Sequence, residues 1–193
     1  LDLAAGLKTV GREELNGESM VKLTGTVNHI RAVLENQRRV YSAAGIKTFD
    51  DLLGALKKRH DDFHAIGCRV SDHGLESALA ESCTHAQAKM IFDAARRGRA
   101  ASLDEAARFG SYLMLDVGRW NAARGCVLQL DLGALRSNNA RLLAQLGPDT
   151  GFDSVGDFPQ ASALSRYLNA LDSTDQLPRT ILYNNNPNHN YVL

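Results

Sequence analysis

The sequence predicts an α/β fold with parallel strands, and three observations carry that prediction. Three short apolar runs, Phe63 to Val70, Cys126 to Leu132 and Thr180 to Tyr183, read as strands. Stretches with helical apolar spacing separate them, and strand, helix, strand order requires parallel, right-handed crossovers. Each run also gives way to polar side chains, as parallel strands do where their carboxyl ends open on a ligand site.

Leu1 to Gly25 is glycine-containing and of mixed polarity without a sustained period, so it reads as irregular. From Thr26, the apolar positions Val27, Ile30, Val33, Leu34, Val40 and Tyr41 predict a helix that Gly45 stops. Thr48 and Asp51 form a capping box for a second helix, with Phe49, Leu52, Leu53 and Leu56 on one face and an end near His60. In the first strand, Phe63 to Val70, the polar turn at the carboxyl end is Ser71, Asp72, His73 and Gly74.

Gln87 to Arg97 is alanine-rich and helical in pattern. Ser102 and Glu105 cap a long helix whose buried stripe is Phe109, Tyr112, Leu113, Val117 and Trp120, closed by Gly125. Cys126, Val127, Leu128, Leu130 and Leu132 then read as a central strand buried on both faces, interrupted by Asp131. Past it, Gly133, Arg136, Asn138 and Asn139 gather polar groups. Leu135 to Leu146 predicts a short helix, Gly147 to Ser154 a turn-rich loop, and Pro159 the first turn of a helix carrying Leu164, Tyr167, Leu168 and Leu171. The last strand, Thr180 to Tyr183, runs into Asn184, Asn185, Asn186, Asn188, His189 and Asn190.

Composition narrows the function classes. At 193 residues, 44% hydrophobic and 23% charged, the chain can bury one sizeable core. Lysine plus arginine equals aspartate plus glutamate at 22 each, so no global field favours nucleic acid or an anionic membrane. No apolar run approaches the roughly 20 residues that span a bilayer, and the first ten residues lack the pattern of a signal peptide, so a cytoplasmic protein is expected. The three cysteines, Cys68, Cys83 and Cys126, are odd in number, without Cys-x-x-Cys spacing, and are read as reduced. A sheet of three parallel strands leaves two unprotected edges, so more strands are expected than the chain shows. With a start lacking methionine and a stop just past a strand, the expectation is an internal fragment.

Three stretches resemble one known family. Gly67-Cys68-Arg69-Val70-Ser71-Asp72-His73-Gly74-Leu75, Gln129-Leu130-Asp131-Leu132-Gly133-Ala134-Leu135-Arg136 and Leu146-Gly147-Pro148-Asp149-Thr150-Gly151-Phe152-Asp153-Ser154 look like uronate isomerase (glucuronate isomerase) of the amidohydrolase superfamily. The resemblance runs from about Phe49 to Leu193. It implies a partial (β/α)8 TIM-type barrel, with residues 1–61 as an irregular start and helical segment and residues 62–193 as the central portion of the barrel. It further implies aldose to ketose isomerisation of D-glucuronate to D-fructuronate, and of D-galacturonate to D-tagaturonate. The implied partner is a hexuronate sugar acid, with no nucleic acid and no membrane, and a homo-oligomer is compatible with it. The implied cofactor is a divalent metal, zinc, held by a His-x-His pair and an aspartate on strands that lie outside this chain.

Moving a proton between C2 and C1 through an enediol needs a positioned acid or base and stabilisation of a developing oxyanion. Asp72 matches the family's Ser-Asp-His-Gly aspartate and is expected to be catalytic; its alternative is to stabilise the turn beside Gly74. Asp131, also expected in the catalytic set, stands where the family pattern Gln-Leu-His-Ile-Gly-Ala has histidine. It cannot act as a neutral imidazole donor, and its alternative is a tie to nearby backbone N–H groups. His73 and Arg136 are expected to bind substrate, arginine being the usual partner of a carboxylate. Two other readings stay open: an inactive or truncated relative serving as a sugar-acid binding or structural module, and a doubly wound domain holding a phosphorylated ligand at Gly147 to Ser154. The second lacks a glycine-rich phosphate signature after a strand.

Overall fold

A computed structural model of the chain describes residues 45–148 and 150–193. The irregular start and the helix expected from Thr26 lie outside the described residues.

Helix α1, Phe49–Ala65, begins at Thr48, whose hydroxyl accepts from the Asp51 amide while Asp51 accepts from the Thr48 amide, the reciprocal cap read from the sequence. It runs past His60, because Phe63 continues the buried stripe of Phe49, Leu52 and His60. Strand β1 therefore occupies Val70–Leu75 and not Phe63 to Val70, and Ser71 to Gly74 lie inside the strand instead of in a turn beyond it. The displacement has a physical origin. Ser71 and His73 find hydrogen-bond partners behind the sheet, so polar residues can occupy the buried face of a strand.

Helices α2, His85–Arg96, and α3, Leu103–Arg124, each open with a capping box, Thr84 with Gln87 and Ser102 with Glu105. Gly125, in the left-handed conformation at φ 63°, closes α3. Of the stripe expected on α3, Phe109, Leu113 and Val117 are buried, while Tyr112 and Trp120 are half-buried. Strand β2, Val127–Leu132, follows at once.

The helix expected over Leu135 to Leu146 is shorter. Ala134–Leu135 forms a two-residue strand β3 paired antiparallel with β4, Ser154–Val155. Ser137 sits at φ 57°, and Asn139 caps α4, Ala140–Leu146, by accepting from the Leu142 amide. Helix α5, Ala161–Asp172, starts just after Pro159, with Gln160 as its cap residue. Strand β5, Thr180–Asn184, and a 3₁₀ turn, Pro187–Tyr191, complete the described chain.

β1, β2 and β5 form one sheet in that order, both pairings parallel, so the run identified as central is the middle strand. One face of β2, Leu128, Leu130 and Leu132, is at most 1% exposed and packs with Leu75, Met114, Val117, Leu164, Tyr167 and Leu171 from β1, α3 and α5. Each such leucine contributes about 1.5–3 kcal/mol of burial. A second cluster, Ile46, Phe49, Leu52, Ala88, Ile91, Phe92, Phe109 and Leu113, joins α1, α2 and α3.

Candidate active site

Paired residues of parallel strands point to the same side, and side chains alternate along each strand. Asp72 pairs with Gln129, Gly74 with Asp131, and Asp131 with Tyr183. Asp72, Gln129, Asp131 and Tyr183 therefore share the face turned away from the helices. Gly74, opposite Asp131, has no side chain to fill the space between the two carboxylates.

The Asp72 charge acts on Asp131. Burial, and next the neighbouring charge of Asp72, push the Asp131 carboxyl above its ordinary range, while Arg136 and a hydrogen bond from Asn185 pull it back. Asn185 Nδ2 donates to Asp131 Oδ1 at 3.4 Å. Asp131 is thus tied to a side-chain amide of the β5 end, where the sequence had left a backbone tie open. Glu76, just past β1, is likewise raised by burial and opposed by Arg136.

Arg136 follows β3 and binds Asp153 through Nη1 to Oδ2 at 2.7 Å, with both side chains about a third exposed. The Asp153 carboxylate also accepts from the Ser137 amide, so the β3 end holds the guanidinium where its field reaches Asp131 and Glu76. Arg136 thereby joins Asp131 electrostatically. His73 does not join them. Its side chain takes the helix-facing side of β1, 3% exposed, with Nε2 3.1 Å from Ser71 Oγ, and burial pulls its pKa down to about 4. That placement gives His73 a tie behind the strand in place of the substrate contact expected from sequence.

Asn184 pairs with Leu132 and so stands in the helix-facing row. Its Nδ2 donates to the Asn186 carbonyl and to Asn190 Oδ1. Arg69 donates to the carbonyls of His64 and Cys68. Sequence reasoning missed Gln160. This side chain is 2% exposed, donates to the Glu76 carbonyl at 2.7 Å and accepts from the Ala78 amide at 3.3 Å, bracing the loop that leaves β1 beside Asp72. Its position directly after Pro159, at a helix start, was the available signal.

Among the described residues no three His, Cys, Asp or Glu side chains come together as a metal-holding group. The described residues do not by themselves fit the implied divalent metal. Also among the described residues, no helix is long and apolar enough to cross a membrane.

Comparison with known proteins gives a consistent result. Residues 27–193 match the family model described as glucuronate isomerase. A uronate isomerase of Opitutus terrae is 68% identical over 147 residues, covering 76% of this chain and 31% of that one. A uronate isomerase of Solibacter usitatus is 49% identical over 148 residues, covering 77% and 32%. The crystal structure of uronate isomerase from Thermotoga maritima superimposes with a TM-score of 0.76 at 27% identity, covering 98% of this chain and 43% of that chain. The chain spans about a third of the length of the curated relatives it matches.

Proposed function

The chain belongs to the glucuronate isomerase family, and from that premise we propose that it is the middle of a (β/α)8 barrel that interconverts hexuronates. Residues 62–193 supply strands and helices of the barrel's central portion. The reaction is aldose to ketose isomerisation through an enediol, with D-glucuronate giving D-fructuronate and D-galacturonate giving D-tagaturonate. The single observation that carries the reading is the placement of Asp72 and Asp131 on one face of adjacent parallel strands, Asp72 within β1 and Asp131 near the carboxyl end of β2.

In this reading Asp72 takes the proton from C2 and returns it at C1, while the 2-hydroxyl proton passes to the former carbonyl oxygen, which turns the aldose into the ketose with no net gain or loss. Asp131, held by the Asn185 amide, accepts a hydrogen bond from a substrate hydroxyl beside the reacting carbons. Arg136 supplies the positive field for the substrate carboxylate, as its effect on Asp131 and Glu76 supports. His73 acts from behind the strand.

The test is turnover by the complete metal-loaded barrel containing this chain, with D-glucuronate and D-galacturonate as substrates, for the wild type and for Asp131→His. Formation of the ketouronates by the wild type supports the reading. Binding of either uronate without turnover in both proteins assigns the chain to a non-catalytic sugar-acid binding relative.

A further inference from the structure

Asp72 makes no side-chain hydrogen bond among the described residues, and its Oδ1 is buried without a partner. Nothing in its own contacts aims the carboxylate. Its two neighbours in the strand are, by contrast, tied down on the opposite face. Ser71 Oγ lies 3.1 Å from His73 Nε2 and accepts from Asn121 Nδ2 at 2.7 Å, and Asn121 Oδ1 lies 3.1 Å from His60 Nε2. Ser71, His73, Asn121 and His60 are 5%, 3%, 0% and 7% exposed.

We propose that this buried chain, from His60 on α1 through Asn121 on α3 to Ser71 and His73 on β1, is a positioning device that orients Asp72 from behind its strand. The inference rests on Asp72 being the proton-handling carboxylate of the proposed reaction.

The donor accounting closes in one direction. His60 Nε2–H donates to the Asn121 carbonyl oxygen, which can only accept; Asn121 Nδ2–H donates to Ser71 Oγ; and the Ser71 hydroxyl donates to His73 Nε2. His73 can accept because burial keeps its imidazole neutral at pH 7. His60 Nδ1 is buried without a hydrogen-bond partner, 3.9 Å from Asp61 Oδ1. A one-way chain of this kind polarises along its length and fixes the rotamers of residues 71 and 73 on either side of Asp72. The short side chain of Asp72 then leaves the backbone in a set direction, without any polar group on the open face competing with substrate for its oxygens.

Matched shapes test the role. In the complete metal-loaded enzyme, Ser71→Thr and Ser71→Val differ only in a hydroxyl. The expected result is that Thr keeps kcat within about threefold of the wild type while Val loses about 10- to 100-fold in kcat, the scale of a misplaced reacting group. KM is expected to stay within about threefold for both, because substrate contacts are untouched. A purely structural hydrogen bond would lower the melting temperature of the Val variant and leave its kcat equal to that of Thr, and that result overturns the proposal. Should the Val variant fail to fold, His60→Gln and His60→Met make the same comparison at the far end of the chain, Gln keeping a donor and Met only the shape. Equal kcat in that pair overturns the proposal. Asp72→Asn separates the two levels. If it abolishes turnover while Ser71→Val retains the kcat of Ser71→Thr, the positioning chain alone is wrong; if Asp72→Asn turns over normally, the underlying reading and the positioning chain fall together.

Discussion

At Asp131, burial and the nearby Asp72 charge favour the protonated carboxyl, so folding holds this proton more tightly than the unfolded chain does. The sign follows by linkage. A raised folded-state pKa contributes stability that is complete below the ordinary carboxylate pKa of about 4 and is lost as the pH rises through the raised value. Asp131→Asn should therefore raise the melting temperature at pH 7, by an amount that solvent screening of this half-buried group keeps small. The gain should vanish at pH 3, and thermal melts at the two pH values check it. Gln160→Ala leaves the Glu76 carbonyl and the Ala78 amide without partners, which predicts a loss of about 1–3 kcal/mol, read as a lower urea midpoint. Asp72 and Asp131 stand out in the sequence through the family resemblance, Asp131 also because it interrupts an apolar run. The side to which His73 points does not, since that depends on where β1 begins, and a shift of one residue reverses every side chain.

At the scale of elements, capping was legible and polar strand interiors were not. Thr48 with Asp51 and Ser102 with Glu105 placed two helix starts where the structure has them, because both halves of a capping box are local. β1 was displaced because Phe63 fits both a strand and the last turn of a helix, and Ser71 and His73 read as a turn until their partners on α3 and α1 are known. The same holds for β3, whose partner β4 lies beyond an intervening helix. The contact of α3 with α5 gives a sharp test. A Cβ at Gly118 would stand 2.6 Å and 3.0 Å from the Leu171 methyls and 3.1 Å from the Tyr167 hydroxyl, and Leu171 is fully buried. Gly118→Ala, although it favours the helix locally, is expected to destabilise by about 1–3 kcal/mol through overpacking, measured by chemical denaturation.

On the scale of the molecule, the parallel order β1, β2, β5 was legible from alternating strand and helix patterns. What completes the sheet was not, because edge strands look the same whether solvent or another strand lies beside them. β5 leaves Ile181, Leu182 and Tyr183 at 41%, 37% and 52% exposed, so residues 45–193 prepared alone should self-associate, eluting above monomer size in size-exclusion chromatography with light scattering. The central claim is that Asp72, on the open face of this sheet, handles the proton of a hexuronate isomerisation. Steady-state turnover of D-glucuronate by the complete metal-loaded enzyme, wild type against Asp72→Asn, tests it most directly. The account predicts formation of D-fructuronate by the wild type and a loss of about 10²- to 10⁴-fold in kcat for the variant; an Asp72→Asn enzyme that works at the wild-type rate would contradict it.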